Sequence, residues 1–146
     1  MTTYKGYFSP KNYKKYEGDP TNIVYRSSWE RSVMSWLDDN KSVLSWSSEE
    51  VVIPYISPID NRKHRYFPDF KATIRNKDGI VKTYLIEVKP YKETMEPKKQ
   101  KRVTKRYITE VTTWGVNSSK WEAARAYCAQ KGWEFMIITE KELGRS

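Results

Sequence analysis

The sequence predicts a single α/β domain, in which a central β-hairpin lies between an amphipathic helix and a closing helix-to-strand unit. Three observations support this class. The 146 residues fall in the range of one ordinary domain. Apolar residues recur at helical spacing over 28–38. Two segments rich in β-branched and aromatic residues flank a strong turn signal at 76–79. Helix, hairpin, helix and strand then follow in that order.

The charge of the chain points to a polyanionic partner. Lysine and arginine number 27 against 18 aspartates and glutamates, giving a net charge of +9, which is typical of nucleic-acid binding. Charge alone leaves an enzyme and a pure binding protein equally open. The single cysteine, Cys128, excludes an internal disulfide and agrees with a reducing compartment. Without a membrane-length or signal-peptide-length apolar run, we expect a soluble intracellular protein with no membrane partner.

Residues 1–25 show neither helical nor alternating periodicity, and they predict an extended N-terminal arm. Two interpretations of its tyrosines stay open. Interleaved with lysines, they could follow a phosphate backbone and stack on bases. Alternatively, they pack on the domain and leave the lysines in solvent. The residues concerned are Tyr4, Tyr7, Tyr13, Tyr16 and Tyr25.

The first helix is predicted over about 28–38. Ser27 and Glu30 have the spacing of a capping box, in which the serine accepts from the N3 amide and the glutamate reaches back to the cap amide. Glu30 therefore has a purely structural interpretation. Short stretches at 43–46 and 51–56 follow, and the second predicts a strand. The apolar face of the helix comprises Trp29, Val33, Trp36 and Leu37.

The hairpin is predicted from a strand over 65–75 and a second over 80–89. With the turn centred near residue 78, Asp69 lies nearly opposite Glu87 across the ladder. Glu87 and Lys89 are two residues apart and share one face of their strand, which we expect to be polar. The opposite face should enter the core, and it carries Tyr84, Ile86 and Val88.

Two opposed carboxylates ordinarily destabilise a sheet unless a cation lies between them. Asp69 and Glu87 would suit Mg²⁺, with Mn²⁺ as a substitute, because waters and phosphate oxygens complete such sites. Lys89 would bind the scissile phosphate, stabilise the transition state, or help orient and deprotonate the attacking water. The alternative is an exposed Asp69 in a bend, beside a Glu87–Lys89 surface pair contributing less than about 1 kcal/mol.

Pro68-Asp69 and Glu87-Val88-Lys89 resemble the two halves of the PD-(D/E)xK nuclease motif. This resemblance implies a restriction-endonuclease-like core, a mixed β-sheet flanked by helices, with the arm at 1–25 and the nuclease domain at 26–146. It also implies a helix before the hairpin whose glutamate completes the metal site. Glu30 matches that position, so a catalytic and metal-binding role for Glu30 stands beside the capping interpretation.

Residues 15–30, the Phe-Pro-Asp-Phe segment and Ile-Glu-Val-Lys-Pro together resemble the head-completion nucleases of T-even-type tailed phages. They are also similar to the N-terminal endonuclease domain of TnsA-type transposase subunits. The resemblance implies a Mg²⁺-dependent endonuclease acting on double-stranded DNA in phage head completion after packaging. It also implies head or neck proteins as partners and the host cytoplasm, or the virion, as location. Two alternatives remain: a non-catalytic DNA-binding head-assembly protein, and the cleavage subunit of a transposition complex.

The segment after Pro90 is strongly basic, and Pro97 predicts the start of a helix. Its apolar stripe would comprise Val103, Tyr107, Ile108 and Val111. The basic side chains either grip phosphates beside the metal or form a solvated face. The candidate DNA-binding residues of this segment are Lys98, Lys99, Lys101, Arg102 and Lys105.

A last helix and strand close the predicted domain. Ser119 and Glu122 have capping-box spacing, Gly132 predicts the end of the helix, and 133–139 predicts a strand. Lys120, near the predicted helix start, is a further DNA-binding candidate through the helix N-terminus. His64 lies in a basic loop sequence, and we assign it no catalytic role.

Overall fold

The computed structural model describes residues 3–144, and a mixed four-stranded sheet forms its centre. Among the described residues, no helix is both long and apolar enough to cross a membrane. Short 3₁₀ turns occupy Tyr13–Lys15 and Tyr91–Thr94. The strands and helices are β1 (Thr3–Tyr7), β2 (Val24–Ser27), α1 (Ser28–Asp39), β3 (Val43–Ser48), β4 (Ile53–Ile56), β5 (Lys63–Tyr66), β6 (Phe70–Arg75), β7 (Val81–Val88), α2 (Lys105–Lys131) and β8 (Glu134–Ile138).

The central sheet has the strand order β3-β6-β7-β8. β3, β6 and β7 are antiparallel neighbours, whereas β8 lies parallel to β7. The parallel strand is reached through α2, as a parallel pair requires a long crossover connection. Two further two-stranded sheets, β1–β2 and β4–β5, lie beside it. The predicted mixed sheet flanked by helices, of restriction-endonuclease-like architecture, is confirmed.

Each face of the central sheet is covered by one helix. Val33, Met34 and Leu37 of α1 belong to the apolar cluster that contains Ile86 and Val88. The opposite cluster contains Leu85 of β7 together with the α2 residues Trp121, Ala124 and Cys128. Leu85 shares a face with Glu87, so the prediction of a wholly polar face there is wrong. The reason is that α2 covers this face and keeps Leu85 from water.

Helix α1 begins where the sequence predicts. The Ser27 hydroxyl accepts a hydrogen bond from the Glu30 amide at 3.1 Å. The Glu30 carboxylate, however, accepts from the amide of Arg26 at 3.2 Å, one residue before the predicted cap amide. Trp36 is 51% exposed, so its assignment to the core face is wrong, and Met34 is fully buried instead. The buried face of α1 is therefore rotated slightly relative to the predicted one.

The N-terminal segment is in contact with the core. Tyr16 and Tyr25 are buried in the cluster on the α1 side, which supports the packing interpretation for these two rings. Tyr7 and Tyr13 are exposed, so their stacking role stays a prediction. The side chain of Tyr4 lies outside the described residues. The predicted boundary at residue 25 between arm and domain is likewise still a prediction.

The hairpin of β6 and β7 has the predicted register. Phe70 pairs with Ile86 and Arg75 with Val81, so the next position places Asp69 across from Glu87. The predicted strand over 65–75 is not continuous, because Tyr66 ends β5 and pairs with β4. Pro68 lies in the connection between β5 and β6 and has no amide hydrogen to donate to a ladder, which is consistent with the interruption there.

Helix α2 replaces two predicted helices. It begins at Lys105, where the Thr104 hydroxyl accepts from the Tyr107 amide at 3.1 Å. The predicted start at Pro97 is therefore wrong. The predicted cap at Ser119 is wrong too, because α2 continues through this residue without interruption. Amides in the middle of a helix already have carbonyl partners and need no cap. The predicted end at Gly132 is confirmed, with a left-handed backbone at φ 72°.

Candidate active site

The structure brings Asp69, Glu87 and Lys89 together at one end of the β6–β7 hairpin. Asp69 lies in the bend before β6, and its Oδ2 accepts a hydrogen bond from the Val88 amide at 2.8 Å. The Lys89 Nζ lies 3.7 Å from Glu87 Oε2. Glu87 itself is 6% exposed. The carboxylate of this pair is thus buried while the Lys89 side chain is partly exposed, at 27%, which argues against a pair lying wholly on the surface.

The charged forms of both carboxylates are disfavoured by burial, and that of Asp69 also by the charge of Glu87. Burial raises the pKa of Asp69 well above its ordinary value, and the charges of Glu87 and Glu30 raise it further. Burial also raises the pKa of Glu87, while a hydrogen bond from Tyr66 and the charge of Lys89 act in the opposite direction. Such a pair gains free energy when a cation lies close to it.

Glu30 lies close enough to influence this pair from the first turn of α1. Burial raises its pKa, the Arg26 amide lowers it, and the charges of Glu49 and Glu87 raise it again. Its hydrogen bond to Arg26 shows that Glu30 supports the start of the helix. The structure therefore gives Glu30 a structural contact, while its predicted metal and catalytic roles stay predictions.

The oxygen donors of Asp69 and Glu87 are of the chemical kind that a hard cation binds. Over residues 3–144, no group of three His, Cys, Asp or Glu side chains is close enough to hold a metal ion. Mg²⁺, however, binds through one or two carboxylates completed by waters and substrate phosphates. Asp69 and Glu87 form such a pair, and Asp69 Oδ2 and Glu87 Oε1 already accept hydrogen bonds that orient the carboxylates. The second oxygen of each is the candidate ligand.

Three further residues at this site were missed in the sequence. The Tyr66 hydroxyl donates to Glu87 Oε1 at 2.7 Å. The Glu49 amide donates to the Asp69 carbonyl at 3.1 Å, and the Glu49 carboxylate forms an ion pair with Arg26. Glu49 has a positive φ of 55°. The position of Tyr66 three residues before Asp69 is a weak sequence signal for its role, whereas the contacts of Arg26 and Glu49 depend on tertiary structure alone.

Lys120 approaches the same site from the middle of α2. Its Nζ lies 5.9 Å from the ring centroid of Tyr55 and 5.7 Å from that of Tyr66. Its charge lowers the pKa of Glu87. The predicted placement of Lys120 at a helix N-terminus is wrong, because the helix begins at Lys105. A positive side chain nonetheless lies close to the carboxylate pair.

The other basic candidates lie on the segment that precedes α2 and on its first turn. Their side chains are exposed, and no described hydrogen bond or ion pair joins them to Asp69 or Glu87. The segment and the first half of α2 line an open groove. The predicted apolar stripe is not packed there, since Val103, Ile108 and Val111 are exposed. The exposed candidates are Lys98, Lys99, Lys101, Arg102 and Lys105.

A mixed sheet that brings two acidic side chains and a lysine to one end of its central hairpin is an architecture suited to hydrolysis of phosphodiesters. The family model described as "TnsA-like endonuclease N terminal" matches residues 40–140, which include Asp69, Glu87 and Lys89 but not Glu30. The chain belongs to this TnsA-like endonuclease family. It is also 43% identical, over 144 residues, to the head completion nuclease of Enterobacteria phage T4; the alignment covers 96% of this chain and 93% of that protein.

Proposed function

We propose that the protein is a metal-dependent DNA endonuclease of the PD-(D/E)xK type, which hydrolyses phosphodiester bonds with Mg²⁺ and accepts Mn²⁺ as a substitute. One observation carries the proposal: Asp69 and Glu87 are held together beside Lys89, with the charged forms of both acids disfavoured. A folded protein gains no stability from such an arrangement, and a divalent cation would relieve it. Membership of an endonuclease family agrees with this reaction.

Each side chain of the site would have its own role in the reaction. Asp69 and Glu87 would hold the ion through the oxygens that face away from Val88 and Tyr66, with Glu30 as a third, outer participant. When bound, the ion supplies Lewis acidity and lowers the pKa of a coordinated water. Lys89, whose Nζ lies 3.7 Å from Glu87 Oε2, would neutralise a phosphate oxygen at the same site, or orient the attacking water.

The substrate we propose is double-stranded DNA. The net charge of +9 favours a polyanion, and its phosphates would release counterions on binding. Lys120 would contact phosphate beside the carboxylates. Its Nζ lies over the Tyr55 and Tyr66 rings, and the Tyr66 hydroxyl is bonded to Glu87. The exposed basic residues before α2 would contact phosphates further along the duplex. They are Lys98, Lys99, Lys101, Arg102 and Lys105.

The biological setting we propose is phage head completion after DNA packaging. It is supported by the 43% identity to a protein named head completion nuclease. Phage head or neck proteins would then be partners, and the host cytoplasm the place of action, with the assembled virion as a further location. The alignment covers 96% of the chain, so the proposal concerns the whole chain rather than one motif.

The test compares wild type with Asp69→Ala and Lys89→Ala on linear and supercoiled duplex DNA in Mg²⁺, Mn²⁺ or EDTA. Asp78→Ala and Lys77→Ala, in the exposed hairpin turn, are the matched controls. Circular dichroism first establishes that each variant folds. We expect cutting in Mg²⁺ or Mn²⁺ by wild type and both controls, and none by the two site variants or in EDTA.

Other outcomes would redirect the proposal. Wild-type binding to DNA without cutting, unaffected by metal, would reject catalysis and favour a non-catalytic head-assembly protein. Cutting that appears only with a partner supplying end recognition would favour the cleavage subunit of a transposition complex. Cutting that survives Asp69→Ala would reject the assigned centre.

A further inference from the structure

The Tyr66 hydroxyl fixes one oxygen of the buried carboxylate of Glu87. The Tyr66 hydroxyl oxygen lies 2.7 Å from Glu87 Oε1, and both residues are almost inaccessible, with Tyr66 4% and Glu87 6% exposed. A hydroxyl that donates to a carboxylate oxygen forms a stronger hydrogen bond when the carboxylate is charged, as Glu87 would be when it binds a cation. Because water cannot readily replace this donor, the bond determines where the carboxylate points.

The ring of Tyr66 is itself held on several sides. Tyr66 is the last residue of β5 and pairs with Ile53 of β4. Its ring belongs to the apolar cluster that contains Leu85 and Trp121. Lys120 lies over its face, with Nζ 5.7 Å from the centroid. The hydroxyl therefore reaches Glu87 from a rigid platform made by a separate two-stranded sheet and α2.

The two oxygens of Glu87 have different surroundings as a result. Oε1 accepts from Tyr66, while Oε2 is directed toward Lys89 at 3.7 Å. Without the hydroxyl, Glu87 could rotate about its side-chain torsions and direct either oxygen toward Lys89 or Lys120. Groups that fix the orientation of a ligand in this way typically change metal affinity about 10-fold to 100-fold when they are removed.

We propose that Tyr66 is a positioning residue, which holds Glu87 in the orientation that binds the divalent cation. The inference rests on the proposed function, because it concerns the cation assigned there to Asp69 and Glu87. It adds a role for the segment before the Phe-Pro-Asp-Phe sequence. Tyr66 and Asp69 are three residues apart, so the end of β5 supplies the group that orients one candidate ligand and the bend before β6 supplies the other ligand.

Tyr55 offers a matched control. It is buried in the same apolar cluster, lies in the neighbouring strand β4, and also has Lys120 over its ring, with Nζ 5.9 Å from the centroid. Among the described contacts its hydroxyl makes no hydrogen bond to Glu87. Tyr55→Phe and Tyr66→Phe each remove one hydroxyl from the same platform, but only the second removes a contact with the site.

The experiment is a Mn²⁺ titration of the full chain without DNA. Electron paramagnetic resonance measures the concentration of unbound Mn²⁺ at each step. We expect Tyr66→Phe to weaken Mn²⁺ binding by about 10-fold to 100-fold, with Tyr55→Phe within about twofold of wild type. In cleavage assays, Tyr66→Phe should raise the Mg²⁺ concentration needed for half-maximal rate. Equal Mn²⁺ affinities for wild type and Tyr66→Phe would overturn the inference while leaving the metal site intact.

A second measurement separates failure of the inference from failure of the proposed function. If wild type does not bind Mn²⁺, the metal assignment fails, and the cation-binding role of Tyr66 is overturned with it. The melting temperatures of Tyr66→Phe, Glu87→Ala and the double variant then report on the contact itself, because each single variant removes it. Additive changes would overturn the holding of Glu87 by Tyr66 as well. Non-additive changes would keep that contact as a structural one.

Discussion

The two faces of β7 carry side chains of different kinds. Toward α1, Ile86 and Val88 are buried among apolar residues of the core. Toward α2, the face begins with the buried Leu85 and continues with Glu87 and then Lys89, just after the strand. Over residues 85–88, the face toward α1 is thus apolar, while the face toward α2 changes from core to site within two residues.

The difference shows how a short strand can serve stability and chemistry together. Leu85 lies under α2, where Trp121 and Cys128 exclude water. Two residues further on, the partners of Glu87 are polar. The Tyr66 hydroxyl donates a hydrogen bond to it, and the charge of Lys89 lowers its pKa. A buried carboxylate needs such partners, because an unpaired charge in the interior is strongly disfavoured. The apolar part of the face holds the strand, and the polar part holds the site.

The largest expected effect comes from substituting adjacent residues on the two faces. Glu87→Gln should reduce Mg²⁺-dependent cleavage by at least about 100-fold, since it removes negative charge from the centre. Its folded stability in EDTA should be retained at neutral pH, because burial already disfavours the charged form of Glu87. Cleavage assays and urea unfolding of the same preparations measure both quantities.

Ile86→Ala should have the reverse effect. Truncating this buried side chain should lower the free energy of unfolding by about 2–5 kcal/mol, with cleavage retained at a temperature where the variant is folded. The assignment of stability to one face and catalysis to the other would be contradicted if folded Ile86→Ala did not cleave DNA, or if Glu87→Gln cut DNA at the wild-type rate. Exposed Val81, on the outer half of β7, gives a control for truncation in the same strand.

A second prediction concerns pH in the absence of metal. The pKa values of Asp69 and Glu87 are raised from ordinary values of 3.8 and 4.5, so the folded protein binds protons that the unfolded chain releases. Their stabilising contribution is complete below those ordinary values and is lost as pH rises through the raised ones. We therefore expect the free energy of unfolding in EDTA to fall from about pH 4 toward neutrality.

Urea unfolding at a series of pH values would measure this slope. Asp69→Asn should flatten it, whereas Asp78→Asn in the exposed turn should leave it unchanged. Saturating Mg²⁺ should counteract the loss at neutral pH, because a ligand that binds only the folded state stabilises it. A slope that Asp69→Asn does not alter would show that this carboxylate is not the source.

The smallest predicted effect lies away from both faces, on the basic segment before α2. Each duplex phosphate that a lysine neutralises contributes about −0.9 to the slope of log affinity against log salt. Lys98→Ala with Lys99→Ala should therefore make the slope shallower by about 1.8 if both contact DNA. Lys41→Ala with Lys77→Ala, at other exposed positions, is the matched control. An unchanged slope in the first pair would remove these residues from the DNA interface.

The sequence contained enough information to predict the hairpin and its three central residues. A strong turn at 76–79 determines the register by local geometry, and period-two alternation then places Asp69 opposite Glu87, with Lys89 on the same face. The start of α1 was predictable because a capping hydroxyl acts within three residues. Local chemistry of this kind depends on neighbours in the chain, which a sequence displays directly.

Other features depended on contacts that no local pattern reports. α2 is one helix of 27 residues rather than two, since capping spacing at Ser119 has no effect where the amides are already bonded. Trp36 is exposed and Leu85 is buried because neighbouring elements, and not helical or strand periodicity, decide which surfaces are covered.

The sequence by itself determined the two acidic positions and the lysine of this site, because one turn and one alternation bring them together. Only the tertiary structure decided what surrounds them: Tyr66 of β5 donates a hydrogen bond to Glu87 across 21 residues of chain, and the charge of Lys120 of α2, 33 residues beyond Glu87, lowers its pKa. Such long-range contacts arise when separate elements pack on one sheet, and their geometry follows from burial of apolar surface by the whole domain.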